Sequence, residues 1–129
     1  MKRISVALVA VASMMFAATA LAHAPSHPSH LFVDGFDFTS SLPDGYYTVG
    51  HVESPASKCV AHRTVKVFYG YETESDFRLV DVAKTGQSGA FGAEGPVSHG
   101  GNQVTALKLK LVDKKVGRQT CKGDTLRLD

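Results

Sequence analysis

The chain has 129 residues, two cysteines, no tryptophan and a formal charge of +2. Lys2 and Arg3 supply all of that charge, and from His23 onward twelve basic side chains balance twelve acidic ones. That balance excludes the broad basic footprint of a nucleic-acid binder, and the length suits one domain.

The first element is a secretory signal peptide over residues 1–22. Lys2 and Arg3 form its positive start, residues 4–21 are almost wholly apolar, and Ala20-Leu21-Ala22 is the small-x-small pattern of a cleavage site. The expected mature protein begins at His23, with 107 residues. No later apolar run approaches the roughly 20 residues needed to span a bilayer, so no transmembrane segment is expected in the mature chain. Its expected place is outside the cytoplasm, extracellular or periplasmic.

Residues 23–45 read as a flexible His/Pro-rich arm and lead-in. His23-Ala24-Pro25-Ser26-His27-Pro28-Ser29-His30 holds no large apolar residue with which to pack a core. After cleavage, the free amine and ring of His23, with His27 and His30, form a candidate metal set. Nitrogen donors of this kind favour copper or nickel. The plainer alternative is a mobile polar leader. Residues 31–38 are more apolar but follow no single period, and Ser40-Ser41-Leu42-Pro43-Asp44-Gly45 has the chemistry of a turn.

Residues 46–129 read as the folded domain. Tyr47, Val49 and His51 alternate with Thr48, Gly50 and Val52. Val65, Val67 and Tyr69 alternate with Thr64, Lys66 and Phe68, and Leu107, Leu109 and Leu111 alternate with Lys108, Lys110 and Val112. A mixed run covers 77–84, and Leu126 and Leu128 flank Arg127 in a short last strand. Gly/Ser/Asn-rich breaks separate these runs, so the expected fold is all-β, a small antiparallel β-sandwich, immunoglobulin-like in kind, or a barrel. Tyr47, Val67 and Tyr69 are expected to fill its core. In the alternative orientation Tyr47, Phe68 and Tyr71 point outward and form a ligand or partner patch.

Cys59 and Cys121 form an even pair in an exported chain, which makes one disulfide the default and two buried thiols the alternative. Cys59-Val60-Ala61-His62-Arg63-Thr64-Val65-Lys66-Val67 leads into a strand, Thr85-Gly86-Gln87-Ser88-Gly89-Ala90-Phe91 follows the next, and Cys121 precedes the last. This series resembles the transthyretin-like, carboxypeptidase-regulatory-like β-sandwich of secreted bacterial proteins, over about 46–128. The resemblance implies a stalk, spacer or binding module rather than an enzyme. It assigns Gly89 to a tight turn and Phe91 to the sandwich end. The long Gly-rich loop at 95–102 departs from the pattern.

The remaining candidates are weaker. His51 shares a face with Val49 and reads as a core or edge histidine. His62 and His99 make a metal cluster with it only if the fold joins all three. Gly86-Gln87-Ser88-Gly89-Ala90 lacks the last glycine of a nucleophile elbow and the α/β sheet that such an elbow needs. Glu72, Glu74 and Asp76 read as a polar hairpin tip, with a calcium site as the sharper reading. Lys108, Lys110, Lys114, Lys115, Arg118, Lys122 and Arg127 read as a solvated face, with an anionic partner as the alternative. The sequence therefore points to a secreted, non-enzymatic structural or binding module whose partner is an extracellular or envelope protein or a small ligand. The second reading is an exported copper- or nickel-binding protein using His23, His27 and His30.

Overall fold

The computed structural model describes residues 25–39, 45–70, 77–96 and 106–128. The signal segment, His23, most of the 40–45 turn, the acidic tip at 72–76 and His99 lie outside these residues.

The described residues form ten strands: β1 (Ser26–His27), β2 (His30–Thr39), β3 (Gly45–Glu53), β4 (Thr64–Gly70), β5 (Arg78–Lys84), β6 (Ala90–Pro96), β7 (Ala106–Leu111), β8 (Lys114–Val116), β9 (Gln119–Cys121) and β10 (Asp124–Leu128). The only helical turn among them is a 3-10 turn at Ser57–Cys59. A four-stranded sheet runs β10-β7-β4-β5, a three-stranded sheet runs β2-β3-β6, and both are antiparallel throughout. Their inner faces form the expected sandwich. A small third sheet, β1-β9-β8, includes the one parallel pair, β1 with β9.

The clearest alternations in the sequence build the centre. Leu107, Leu109 and Leu111 lie opposite Tyr69, Val67 and Val65 in register, and all six are buried. Each fully buried leucine or valine contributes roughly 1.5–3 kcal/mol relative to exposure. The other sheet supplies Leu31, Tyr46, Val52, Phe91 and Ala93 to the same cluster. The Tyr46 hydroxyl donates across the sandwich to Asp81 Oδ2 at 3.3 Å. Burial first, then the adjacent carboxylate, pushes the Tyr46 phenol well above its ordinary range. In β5 a register shift opposite Val67 and Phe68 leaves Val80 as the extra residue, packed on the core. That shift is why residues 77–84 read as a mixed run.

Two expectations are corrected. The segment expected as a flexible arm is ordered strand from Ser26 onward, so the folded domain starts well before Tyr46. Before Leu31 polar contacts replace apolar burial: Thr120 N donates to Pro25 O, Lys122 N to His27 O, and Ser54 Oγ to Pro28 O. In β2, Asp34 is an extra residue in the pairing with β3, so the inward set passes from Leu31 and Val33 to Phe36 and Phe38. The second correction concerns β3, where Tyr46, Thr48, Gly50 and Val52 face inward and Tyr47, Val49 and His51 outward. Both phases carry apolar residues, so alternation alone does not choose between them. Phe91 decides it: it pairs with Gly50, and a Cβ on Gly50 would lie 2.8 Å from its ring and 2.1 Å from the Phe32 carbonyl oxygen.

Candidate functional site

One end of the sandwich is closed by a covalent and polar lock. Cys59 and Cys121 form the expected disulfide, with Cα atoms 5.3 Å apart and no exposure of either residue. Beside it Arg63 is fully buried. Its Nη1 donates to Ser29 Oγ at 2.8 Å and to Cys59 O at 2.7 Å. Its Nη2 donates to Val112 O at 2.9 Å and Lys122 O at 3.1 Å, while Nε has no hydrogen-bond partner. Burial lowers the Arg63 pKa, and the charge of Asp113 opposes that effect. One guanidinium thus joins the start of β2, the loop before β4, the end of β7 and the end of β9.

The Thr85–Phe91 turn fastens the same loop. Thr85 Oγ1 accepts from Arg63 N at 2.7 Å and donates to Val60 O at 2.9 Å, and the backbones of Thr85 and Arg63 are bonded as well. Gly89 has φ +88°, and a Cβ there would lie 2.4 Å from a Val60 methyl. The tight-turn role of Gly89 therefore appears as expected, and Phe91 is buried opposite Gly50 of β3. The role of Arg63 went unread in the sequence, where it was only a letter in the strand pattern after Cys59.

The outer face of β2-β3-β6 is different in kind. Its middle rungs, read across the three strands, are Phe32–His51–Ala90, Gly35–Val49–Gly92 and Asp37–Tyr47–Glu94. The sheet is low beside Val49 at Gly92, whereas at Gly35 the Tyr47 hydroxyl reaches over, 3.4 Å from where a Cβ would stand. Phe32, Tyr47 and Val49 are each about two-fifths exposed, at 41%, 42% and 42%. Asp34, Asp37, Glu53 and Glu94 are exposed around them, and β2, β3 and β6 contain no lysine or arginine. His51 stacks on Phe32 with ring centroids 5.2 Å apart. Its Nδ1 lies 2.8 Å from Asp34 Oδ2 and its Nε2 3.2 Å from Glu53 Oε1. The hydrogen bond to Asp34 is the main reason its pKa is raised; burial opposes that, and Glu53 adds to it. With both ring nitrogens held by carboxylates, His51 has none left to activate a nucleophile, as catalysis of the Ser–His–Asp kind requires.

The outer face of β10-β7-β4-β5 has the opposite sign. Its rungs read Thr125–Lys110–Lys66–Val82 and Arg127–Lys108–Phe68–Leu79, with Lys84 opposite Thr64 one rung away. Lys108 sits over the rings of Phe68 and Phe77, and Arg127 over Phe77. Among the described residues no carboxylate points out from this face: Asp81 bonds Tyr46, and Asp124 accepts from Leu31 N at 2.9 Å.

Of the sequence-predicted metal residues, His27, His30, His51 and His62 are described. His27 lies in β1 with Nε2 2.9 Å from Gln119 Oε1, and His30 opens β2 in a different sheet, opposite Glu53. His62 is exposed in the loop after Cys59 with φ 54°, whereas His51 lies on the acidic face. Among the described residues no group of three His, Cys, Asp or Glu side chains is arranged to hold a metal ion. Tyr47 and Phe68 both point outward, but from opposite faces of the sandwich, so they do not share a patch; Tyr71 lies outside the described residues. A groove of about 640 Å³ opens along the seam of β2 and β10, lined by Leu31, Val33, Phe36, Leu126 and Leu128 among others. No helix among the described residues is long and apolar enough to cross a membrane. Compared with protein-family models, curated proteins and solved structures, the chain matches none.

Proposed function

We propose that the chain is an exported, non-catalytic structural or binding module, of the transthyretin-like kind, that works by presenting two sheet faces to macromolecular partners. The observation that carries this reading is the segregation of charge. One face carries Asp34, Asp37, Glu53 and Glu94 without a Lys or Arg, and the other carries Lys66, Lys84, Lys108, Lys110 and Arg127 without a described carboxylate. A neutral chain gains no fold stability from sorting its charges in this way. Sorted charge does steer and orient partners. The apolar side chains among the charges (Phe32, Tyr47 and Val49 on one face, Leu79 and Val82 on the other) are suited to contact once charge has brought a partner close.

The test uses dye-labelled protein beginning at His23, added to washed cells of the producing organism. Saturable binding is expected, weakened at least tenfold in D37N/Y47S/E94Q or in K66Q/K110Q without a fall in melting temperature. Equal binding by wild type and both variants overturns the reading. So does turnover of ester, peptide or glycoside substrates that His51→Gln abolishes.

A further inference from the structure

On that reading, one partner is already present in the chain: we propose that the acidic face of one molecule seats the basic face of a second copy, head to tail. Three observations point there. First, Lys66 and Lys110 are direct cross-strand partners, with Lys108 and Lys84 on neighbouring rungs. Like charges placed opposite each other destabilise a sheet. No described carboxylate lies within ion-pair distance of these four lysines, because the ion pairs between described residues are those of His51. Among the described residues, then, no carboxylate compensates the lysine cluster at ion-pair distance.

Second, the acidic face has a matching arrangement. On its Asp37–Tyr47–Glu94 rung two carboxylates flank an exposed tyrosine. They are separated by two strand spacings, about 9.6 Å, while Lys66 and Lys110 are one spacing apart, about 4.8 Å. Four-carbon lysine stems span that difference. The Tyr47 hydroxyl lies over Gly35, but the Gly92 side of Val49 carries no other side chain and leaves room for a stem to lie flat.

Third, the two faces point away from each other across one sandwich. A basic peptide satisfies only the acidic face and a polyanion only the basic one, whereas a second copy satisfies both. The contact is heterologous, so each added copy leaves one free face of each sign and the assembly grows as a stack.

The size of the faces sets the strength. Seven residues along three strands cover about 14 by 24 Å, so seating one face on another buries roughly 700 Å², below the 1,200–2,000 Å² of stable complexes. The association is weak, reversible and sensitive to salt in solution, and becomes effective where copies are held close together.

Sedimentation velocity on the chain beginning at His23 tests this. At about 1 mM protein and about 20 mM salt the weight-average mass is expected to exceed 1.5 times the monomer, and to return to monomer at about 0.5 M salt. D37N/Y47S/E94Q and K66Q/K110Q should each be monomeric alone. Mixed in equal amounts, they should form a pair that grows no further, because each keeps the face the other has lost. That rescue also shows that both variants are folded. A wild-type chain that stays monomeric at low salt overturns the inference, as does association that ignores salt and both variants, or a mixture that stays monomeric. If the chain is monomeric yet the face variants still lose cell binding, the self-stacking idea falls and the proposed function stands. If self-association follows the predicted pattern while cell binding ignores the faces, the opposite holds.

Discussion

The locked end and the acidic face use charged side chains in opposite ways. Arg63 has no exposure and spends its donors on three carbonyls and a hydroxyl. His51 is partly exposed and held by two carboxylates that are themselves open to solvent, at 56% and 63% side-chain exposure. In the first region the charge joins backbone segments that no continuous strand connects. In the second it adds little to the fold and leaves a charged surface outside. The difference teaches that burial and partner type, more than residue type, separate a structural cation from one available to a partner.

The largest expected effect comes from breaking the lock at Arg63. Arg63→Leu keeps bulk but leaves the Cys59, Val112 and Lys122 carbonyls without their guanidinium donor. Hydrogen bonds to charged groups contribute about 1.5–3 kcal/mol each, so a loss of at least about 4 kcal/mol is expected in urea denaturation. Arg63→Lys should recover only part of this, since one ammonium cannot reach acceptors placed around a planar fork. A loss below about 1 kcal/mol in Arg63→Leu would mean that the carbonyls find other donors, and the contrast with His51 would collapse.

Next comes the disulfide. Cys59 and Cys121 are 62 residues apart in sequence. Closing a loop of that size stabilises by about 2–4 kcal/mol through the unfolded chain. The double variant C59A/C121A should show that loss in the urea midpoint, alongside unchanged chemical shifts on the β2-β3-β6 face. Shifts spreading across that face would show that the lock also shapes the surface. Thr85→Val is a smaller break in the same region. It removes a bond accepted from Arg63 N and one donated to Val60 O. About 2 kcal/mol is expected, with the melting temperature as readout; no loss would mean that the turn holds without its hydroxyl.

How far the sequence could be read follows the same division. Leu107, Leu109 and Leu111 were legible because lysines mark the other phase of β7, and the cysteine pair was legible because export and an even count suffice. The phase of β3 was not legible, since Tyr46 and Val52 compete with Tyr47 and Val49, and the arbiter is the ring of Phe91 nearly forty residues away. The order of residues 26–39 was hidden by the Asp34 bulge and by polar contacts that hydropathy does not register. Arg63 was hidden because three of its acceptors are backbone carbonyls, which no residue type announces. The two faces became visible only once pairing placed Lys66 beside Lys110 and Tyr47 beside Glu94. The metal set joined residues that are near in sequence, whereas the fold places His27 and His30 in separate sheets.

The smallest expected effect lies at His51 and tests whether its two carboxylates hold it in solution as they do in the fold. Its pKa is raised above 6.5, chiefly by the hydrogen bond to Asp34, so the folded state holds the proton more tightly than the unfolded chain. The resulting stability is fully present below pH 6.5 and is lost as pH rises through the raised folded value. His51→Gln should therefore lower the melting temperature at about pH 5 and leave it nearly unchanged at about pH 9. Because Asp34 and Glu53 are open to solvent, about 0.5 M salt should shrink the acid-side difference. A deficit of the same size at both pH values would assign the loss to stacking on Phe32, since that contact does not depend on the proton. The imidazole would then serve the face as an aromatic surface, and the charges of Asp34 and Glu53 would stand without a cation between them.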